Sequence, residues 1–109
     1  MEREREHFAN FTIAGFSYYD GALVFNQLKI GQEVKLVTEP ANMFDKNAVA
    51  IHLDDSMLGY IPKAFNREVS KVLNAGYNIF SAYIQAVSPE SNPEEQVRVI
   101  VFINKNLKG

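Results

Sequence analysis

The stretch Pro40–Ala41–Asn42–Met43–Phe44–Asp45–Lys46–Asn47 puts a ring, a carboxylate, an ammonium group and two amides within a few positions. Such a loop could offer one ligand an acceptor, a stacking face and a cation. The plainer account is an Asx-rich connector in which Asn42 and Asn47 satisfy their own backbone. Phe44 fits that account poorly, because an apolar ring in a polar loop must either plug a core or present a face outward. A second cluster is Tyr18–Tyr19, just before Asp20–Gly21. A tyrosine at a rim can stack on a nucleobase, worth about 1–3 kcal/mol per base. If both tyrosines belong to a strand, they point to opposite faces and only one can meet a ligand. Otherwise one ring packs inward and the other covers the sheet edge. The third cluster, Lys63, Arg67 and Lys71, recurs every four residues and projects from one side of a helix. Three cations in a row could follow a phosphate backbone. A solvated helix face, diluted by Glu68, is the competing account.

Several chemistries are excluded or unsupported. No nucleophile–His–carboxylate grouping, phosphate-cradling Walker loop or Gly-rich dinucleotide turn is present, so no catalytic residues are expected. Asp54–Asp55 resembles a paired carboxylate but falls at a hairpin tip. His52, between Ile51 and Leu53, reads as an outward residue of a strand. There are no cysteines and only two histidines, His7 and His52, so disulfides and thiolate metal sites are ruled out. No cofactor is expected. The formal net charge of −2 denies the chain a globally basic footprint and leaves nucleic-acid binding to local Lys and Arg clusters. No apolar run approaches the roughly 20 residues that cross a bilayer. The N-terminal MEREREHF has no apolar h-region, so a cytoplasmic protein is expected.

The elements that must position these residues follow from periodicity. Phe8–Phe16 is aromatic and β-branched and reads as a strand, with a bulge or close backbone approach at Gly15. Ala22–Leu28 reads as a helical turn or an irregular loop. Glu33–Glu39 alternates as a half-buried strand that ends at Pro40. Ala48–Leu53 and Met57–Ile61 flank Asp54–Asp55–Ser56 as a hairpin. Phe65, Val69, Val72 and Leu73 form one apolar stripe of a helix over Lys63–Ala75, and Gly76 fits a left-handed cap. Ile79–Val87 and Gln96–Asn104 are the last two strands. The order β-β-β-β-α-β-β in 109 residues predicts a mainly β domain with one helix. The architecture would be a small, partly open six-stranded barrel of the OB or SH3 type. The domain is expected over residues 8–104, with 1–7 and 105–109 as loose tails.

Four separated blocks, FTIAGFSYYDG, LKIGQEVKLV, EPANMFDKNAVAI and LGYIPKAFNREVSKVLNAG, together resemble the HIRAN domain in order and spacing, from about Phe11 to Gly76. The last two strands match in type. HIRAN domains occur beside SWI/SNF-type remodelling ATPases and as short stand-alone bacterial proteins, whose GYIP-x-x-x-N-R wording this chain is similar to. The resemblance implies an OB-like barrel. In the remodeller branch it also implies capture of the 3′-hydroxyl end of single-stranded DNA, in the service of fork regression. Carried over by position, the site comprises Tyr18, Tyr19, Asn42, Phe44 and Asp45, with Lys63 nearby. The tyrosines would flank the terminal nucleotides. Phe44 stands for a tyrosine and keeps the ring without the hydroxyl. Asp45 would accept a hydrogen bond from the 3′-hydroxyl, and Lys63 would pair with a phosphate. A carboxylate there welcomes a hydroxyl donor and repels a phosphate, which favours a chain end. The chain departs from that branch at Ser17, in place of an arginine, and at Tyr60, in place of a histidine.

Two functional expectations result. One is a non-catalytic binder of single-stranded DNA 3′ ends in repair or replication-fork processing, contacting DNA through those residues and through Arg67 and Lys71. A helicase or nuclease encoded separately would be its partner. The other is a protein-interaction module using an aromatic groove or an open strand edge. Its motivation is the acidic balance, Ser17 and the strongly β-prone last strand, should that strand lie at an edge.

Overall fold

The computed structural model describes residues 4–105. Six strands form one antiparallel sheet in the order β1-β6-β5-β2-β3-β4. They are β1 (Arg5–Thr12), β2 (Glu33–Thr38), β3 (Val49–Leu53), β4 (Ser56–Tyr60), β5 (Phe80–Val87) and β6 (Val97–Asn104). A four-residue helix, α1 (Gly21–Val24), and 3-10 turns at Phe16–Tyr18 and Phe25–Gln27 occupy the long connection from β1 to β2. The main helix, α2 (Lys63–Asn74), links β4 to β5.

Alternation drives the sheet to curl around one core. Val97, Val99 and Val101 of β6 point inward and are fully buried, together with Val49 and Ile51 of β3 and Leu58 of β4. Side chains of this size contribute about 1.5–3 kcal/mol each when taken out of water. Helix α2 lays Val69 into the same core, and Phe65 stacks on Phe11 of β1 with ring centroids 5.7 Å apart. Its end is a Schellman cap, as the Gly76 signal predicted: Gly76 N–H donates to Leu73 O and Tyr77 N–H to Val72 O, with Gly76 at φ 97°.

The sheet is not closed by a ladder. Its outer strands, β1 and β4, are joined only by an isolated bridge just past the end of β1, where Ala14 and Tyr60 exchange both backbone hydrogen bonds at 2.9 Å. Gly59 makes that seam possible. At φ 144° it lets the β4 backbone approach Ala14 so closely that a Cβ would sit 2.5 Å from Ala14 O. On the other side, β2 and β5 pair at only two positions, Glu33 with Tyr83 and Val34 with Ala82. The partly open, mainly β architecture is therefore the one the sequence predicted.

Several boundaries differ from expectation. The first strand begins at Arg5, not Phe8, and ends at Thr12, not Phe16. Residues Arg5, Glu6 and His7, expected in a loose tail, pair with Asn104, Ile103 and Phe102. Polarity does not prevent this, because an edge strand of alternating charge can pair on one side and face water on the other. The Arg5 guanidinium also lies 3.8 Å from the centroid of the Phe102 ring. Lys105, likewise placed in a tail, donates its N–H to Glu4 O and its ammonium to Glu6. The rest of the expected tails, residues 1–3 and 106–109, lies outside the described residues. The ambiguous Ala22–Leu28 segment is helical turn rather than irregular loop, and β6 lies between β1 and β5 instead of at an edge. A strand paired on both sides cannot accept another chain, so that motive for an interaction module falls away.

Candidate functional site

The loop between β2 and β3 is built by its own side chains. Asn42 Oδ1 accepts hydrogen bonds from Phe44 N–H at 2.8 Å and Asp45 N–H at 3.0 Å. Asp45 Oδ1 in turn accepts from Asn47 N–H at 2.9 Å. The Asx-turn account of the loop is thus correct for Asn42, and within the loop so held Phe44 is 94% exposed. Across from the loop, α2 starts immediately after Pro62. Asn66, one turn in, donates its Nδ2 to Asp45 Oδ2 at 2.9 Å and is itself only 4% exposed.

Loop, helix start and seam enclose a cleft of about 480 Å³. Tyr19, Phe44 and Tyr60 supply rings to its lining; Asn42, Asp45 and Lys63 supply polar groups. Tyr19 reaches the cleft because Gly15, at φ 74°, turns the chain sharply after β1 and the 3-10 turn over Phe16–Tyr18 follows. Its ring meets Tyr60 edge-on, with centroids 5.6 Å apart at 77°. Ser17 holds the same turn from outside, donating its N–H and its hydroxyl to Glu94.

The electrostatics separate acceptors from donors. Asp45 is held below the ordinary carboxylate value of 3.8, first by the Asn47 N–H, then by the Asn66 amide and the nearby Lys63 charge. It is therefore a permanent anion at neutral pH, and it accepts only. A carboxylate has about four acceptor positions, of which the loop and the helix use two, so it retains capacity for a donor from a ligand. The Tyr60 phenol is pushed up to about 12 by burial and by donating to Glu39, so it stays protonated. A chemical group fits this cleft if it is flat enough to lie on a ring and ends in a hydroxyl donor, with an anion placed toward Lys63.

The structure brings together Tyr19, Asn42, Phe44, Asp45 and Lys63 of the residues expected from sequence. It does not bring in the others. Tyr18 ends the 3-10 turn with its ring 79% exposed, away from the cleft lining. Neither tyrosine lies in a strand, so the strand-alternation argument for choosing between them does not apply. Arg67 and Lys71 are exposed on α2 beyond the lining, each about 6 Å further along the axis than the cation before it. Asn66 was missed by the sequence reading, although a signal existed. It sits three residues before Val69 on the apolar stripe, and a polar residue on a buried face demands a partner. Glu39 left no such signal, because its partners Asn42 and Tyr60 are joined only by the fold.

Comparison with known proteins agrees with this fold. The family model of the HIRAN domain matches residues 7–104. Among solved structures, a Lactobacillus plantarum protein from a structural genomics consortium superposes with a TM-score of 0.77 at 19% identity, covering 94% of this chain and 97% of that one. The HIRAN domain of human HLTF superposes with a TM-score of 0.63 at 15% identity, covering 94% of this chain and 82% of that one. At such identities these two likenesses speak for the fold. A search of curated proteins gave no match. With nearly the whole described chain inside the family match, and with the open barrel it would require, the protein belongs to the HIRAN domain family.

Proposed function

We propose that this protein binds the 3′ end of single-stranded DNA and leaves the chemistry of repair or fork processing to a helicase or nuclease on another chain. HIRAN is a binding domain, and its members bind DNA in general. The finer reading rests on one observation: an ionised Asp45 with spare acceptor capacity lines the same cleft as the rings of Tyr19 and Phe44. In this reading the terminal base lies against Phe44 or Tyr19. The 3′-hydroxyl donates to Asp45, and Lys63 faces the preceding phosphate. Tyr18, Arg67 and Lys71, outside the cleft, would meet the strand only as it leaves. A 3′-phosphate would bring two like charges together in place of a hydrogen bond, and an internal nucleotide would do nearly the same.

The decisive measurement is fluorescence anisotropy at low salt with one labelled oligonucleotide in two forms, ending in 3′-hydroxyl or 3′-phosphate. The hydroxyl form is expected to bind at least about tenfold tighter, the scale of a hydrogen bond to a charged acceptor. Equal binding of both forms, or no binding of either, would overturn the proposal.

A further inference from the structure

We infer that Glu39, the residue after β2, is the positioning residue of this cleft, joining the loop that carries Asp45 to the wall that carries Tyr60. The inference rests on the end-binding reading of the cleft for its functional consequence, but the coupling itself is a property of the free protein.

The geometry has three parts. Glu39 Oε1 accepts two hydrogen bonds, from Asn42 Nδ2 at 3.0 Å and from the Tyr60 hydroxyl at 2.8 Å. Its backbone closes the base of the loop as well: Glu39 N–H donates to Ala48 O and Asn42 N–H donates to Glu39 O, both at 3.0 Å. Through Asn42 the chain of bonds then reaches Phe44 N–H and Asp45 N–H.

What the carboxylate adds is direction. A primary amide is nearly symmetric in shape and can turn over about its last torsion, exchanging acceptor for donor. If Asn42 turned over, its NH2 would face the N–H groups of Phe44 and Asp45, donor against donor, and the loop would have to open. Glu39 opposes this, because the oxygen that accepts the Tyr60 proton can only accept from Asn42 as well, so Nδ2 alone can face it. The Asn42 oxygen is thereby fixed on the loop, and Asp45 with it. On the other wall, the single phenolic proton of Tyr60 is committed to Glu39. This holds the Tyr60 ring edge-on against Tyr19 and keeps that proton from the ligand. One oxygen thus sets the spacing between the acceptor wall and the ring wall.

The test uses Glu39→Ala and Glu39→Gln in the full chain. Glutamine retains an acceptor oxygen for both partners, whereas alanine retains none. Glu39→Ala should bind the 3′-hydroxyl oligonucleotide about tenfold more weakly, on the scale of two lost hydrogen bonds, and lose most of its preference over the 3′-phosphate. Glu39→Gln should recover most of both. In the ligand-free protein, Glu39→Ala should shift the backbone amide resonances of Phe44 and Asp45 and the side-chain NH2 resonances of Asn42. It should also lower the alkaline titration of Tyr60, read from tyrosinate absorbance. Native end preference together with unmoved Asn42, Phe44 and Asp45 resonances in Glu39→Ala would overturn the inference. If the native protein shows no end preference, the proposed function fails by itself, and the resonances and the Tyr60 titration still judge Glu39. A Glu39→Ala chain too unstable to assay leaves the decision to Glu39→Gln, whose spectra must then keep the native Asn42, Phe44 and Asp45 positions.

Discussion

Replacing Gly59 with alanine adds one methyl group at the seam where β4 meets the end of β1. The new Cβ would lie 2.5 Å from Ala14 O and 2.6 Å from Ile13 Cγ2, whereas ordinary contacts fall at 3.4–4 Å. Neither neighbour can rotate away cheaply. Ala14 O already accepts from Tyr60 N–H, and Ile13 is buried in the core. Two costs add. Overpacking a tight site costs about 1–3 kcal/mol. Holding a non-glycine residue at φ 144° costs about 1–3 kcal/mol more. Gly31→Ala isolates the second cost, because Gly31 has φ 94° but no atom within 4 Å of the point its new methyl group would occupy. The difference between the two variants is therefore the seam itself. At about 4–8 °C per kcal/mol for a domain of this size, Gly59→Ala should melt well below Gly31→Ala. Thermal unfolding followed by circular dichroism, with urea midpoints as a second measure, makes the comparison. Affinity for DNA ends should fall further for Gly59→Ala too, since Ala14 and Tyr60 line the cleft. If the two variants melt together, the close approach at Ala14 is not a constraint on the fold and the reasoning about the seam is refuted.

Other consequences are more local. Phe44→Ala should leave the melting temperature unchanged, since its ring is almost wholly exposed, yet weaken single-strand binding by about 1–3 kcal/mol; equal affinity would remove Phe44 as a stacking surface. Lys63→Ala should reduce the slope of log K against log salt by about 0.7, one phosphate contact, while Lys71→Ala leaves it nearly native; salt titrations of both variants check this. The lowered pKa of Asp45 makes its contribution to stability present above the ordinary value of 3.8 and lost as pH falls through the lower, folded value. The stability gap between native protein and Asp45→Asn, read from urea unfolding across acidic pH, should therefore shrink in that range, and a gap that widens on acidification would contradict the assignment.

Much of the fold was legible because it is written in local pattern. Period-two alternation in Glu33–Glu39 and period-four spacing from Phe65 to Val69 depend only on which side of a strand or helix faces a core, and Gly76 marks a backbone conformation that other residues avoid. The loop at Asn42 was legible for the same reason, since its bonds reach only two or three residues along the chain. Arg5–His7 were misread because a charged segment can be held by a partner strand far away in sequence, and no local signal reports that partner. The cleft belongs to the same class. Asp45 and Asn66 are 21 residues apart, as are Glu39 and Tyr60. Residue types along the chain determined that acceptors, rings and a cation were available. Only the tertiary structure decided which of them meet, because a hydrogen bond or a ring contact depends on distances of a few ångströms that strand order and the Ala14–Tyr60 seam impose. That is why Tyr19 enters the site while Tyr18, its neighbour with the same side chain, does not.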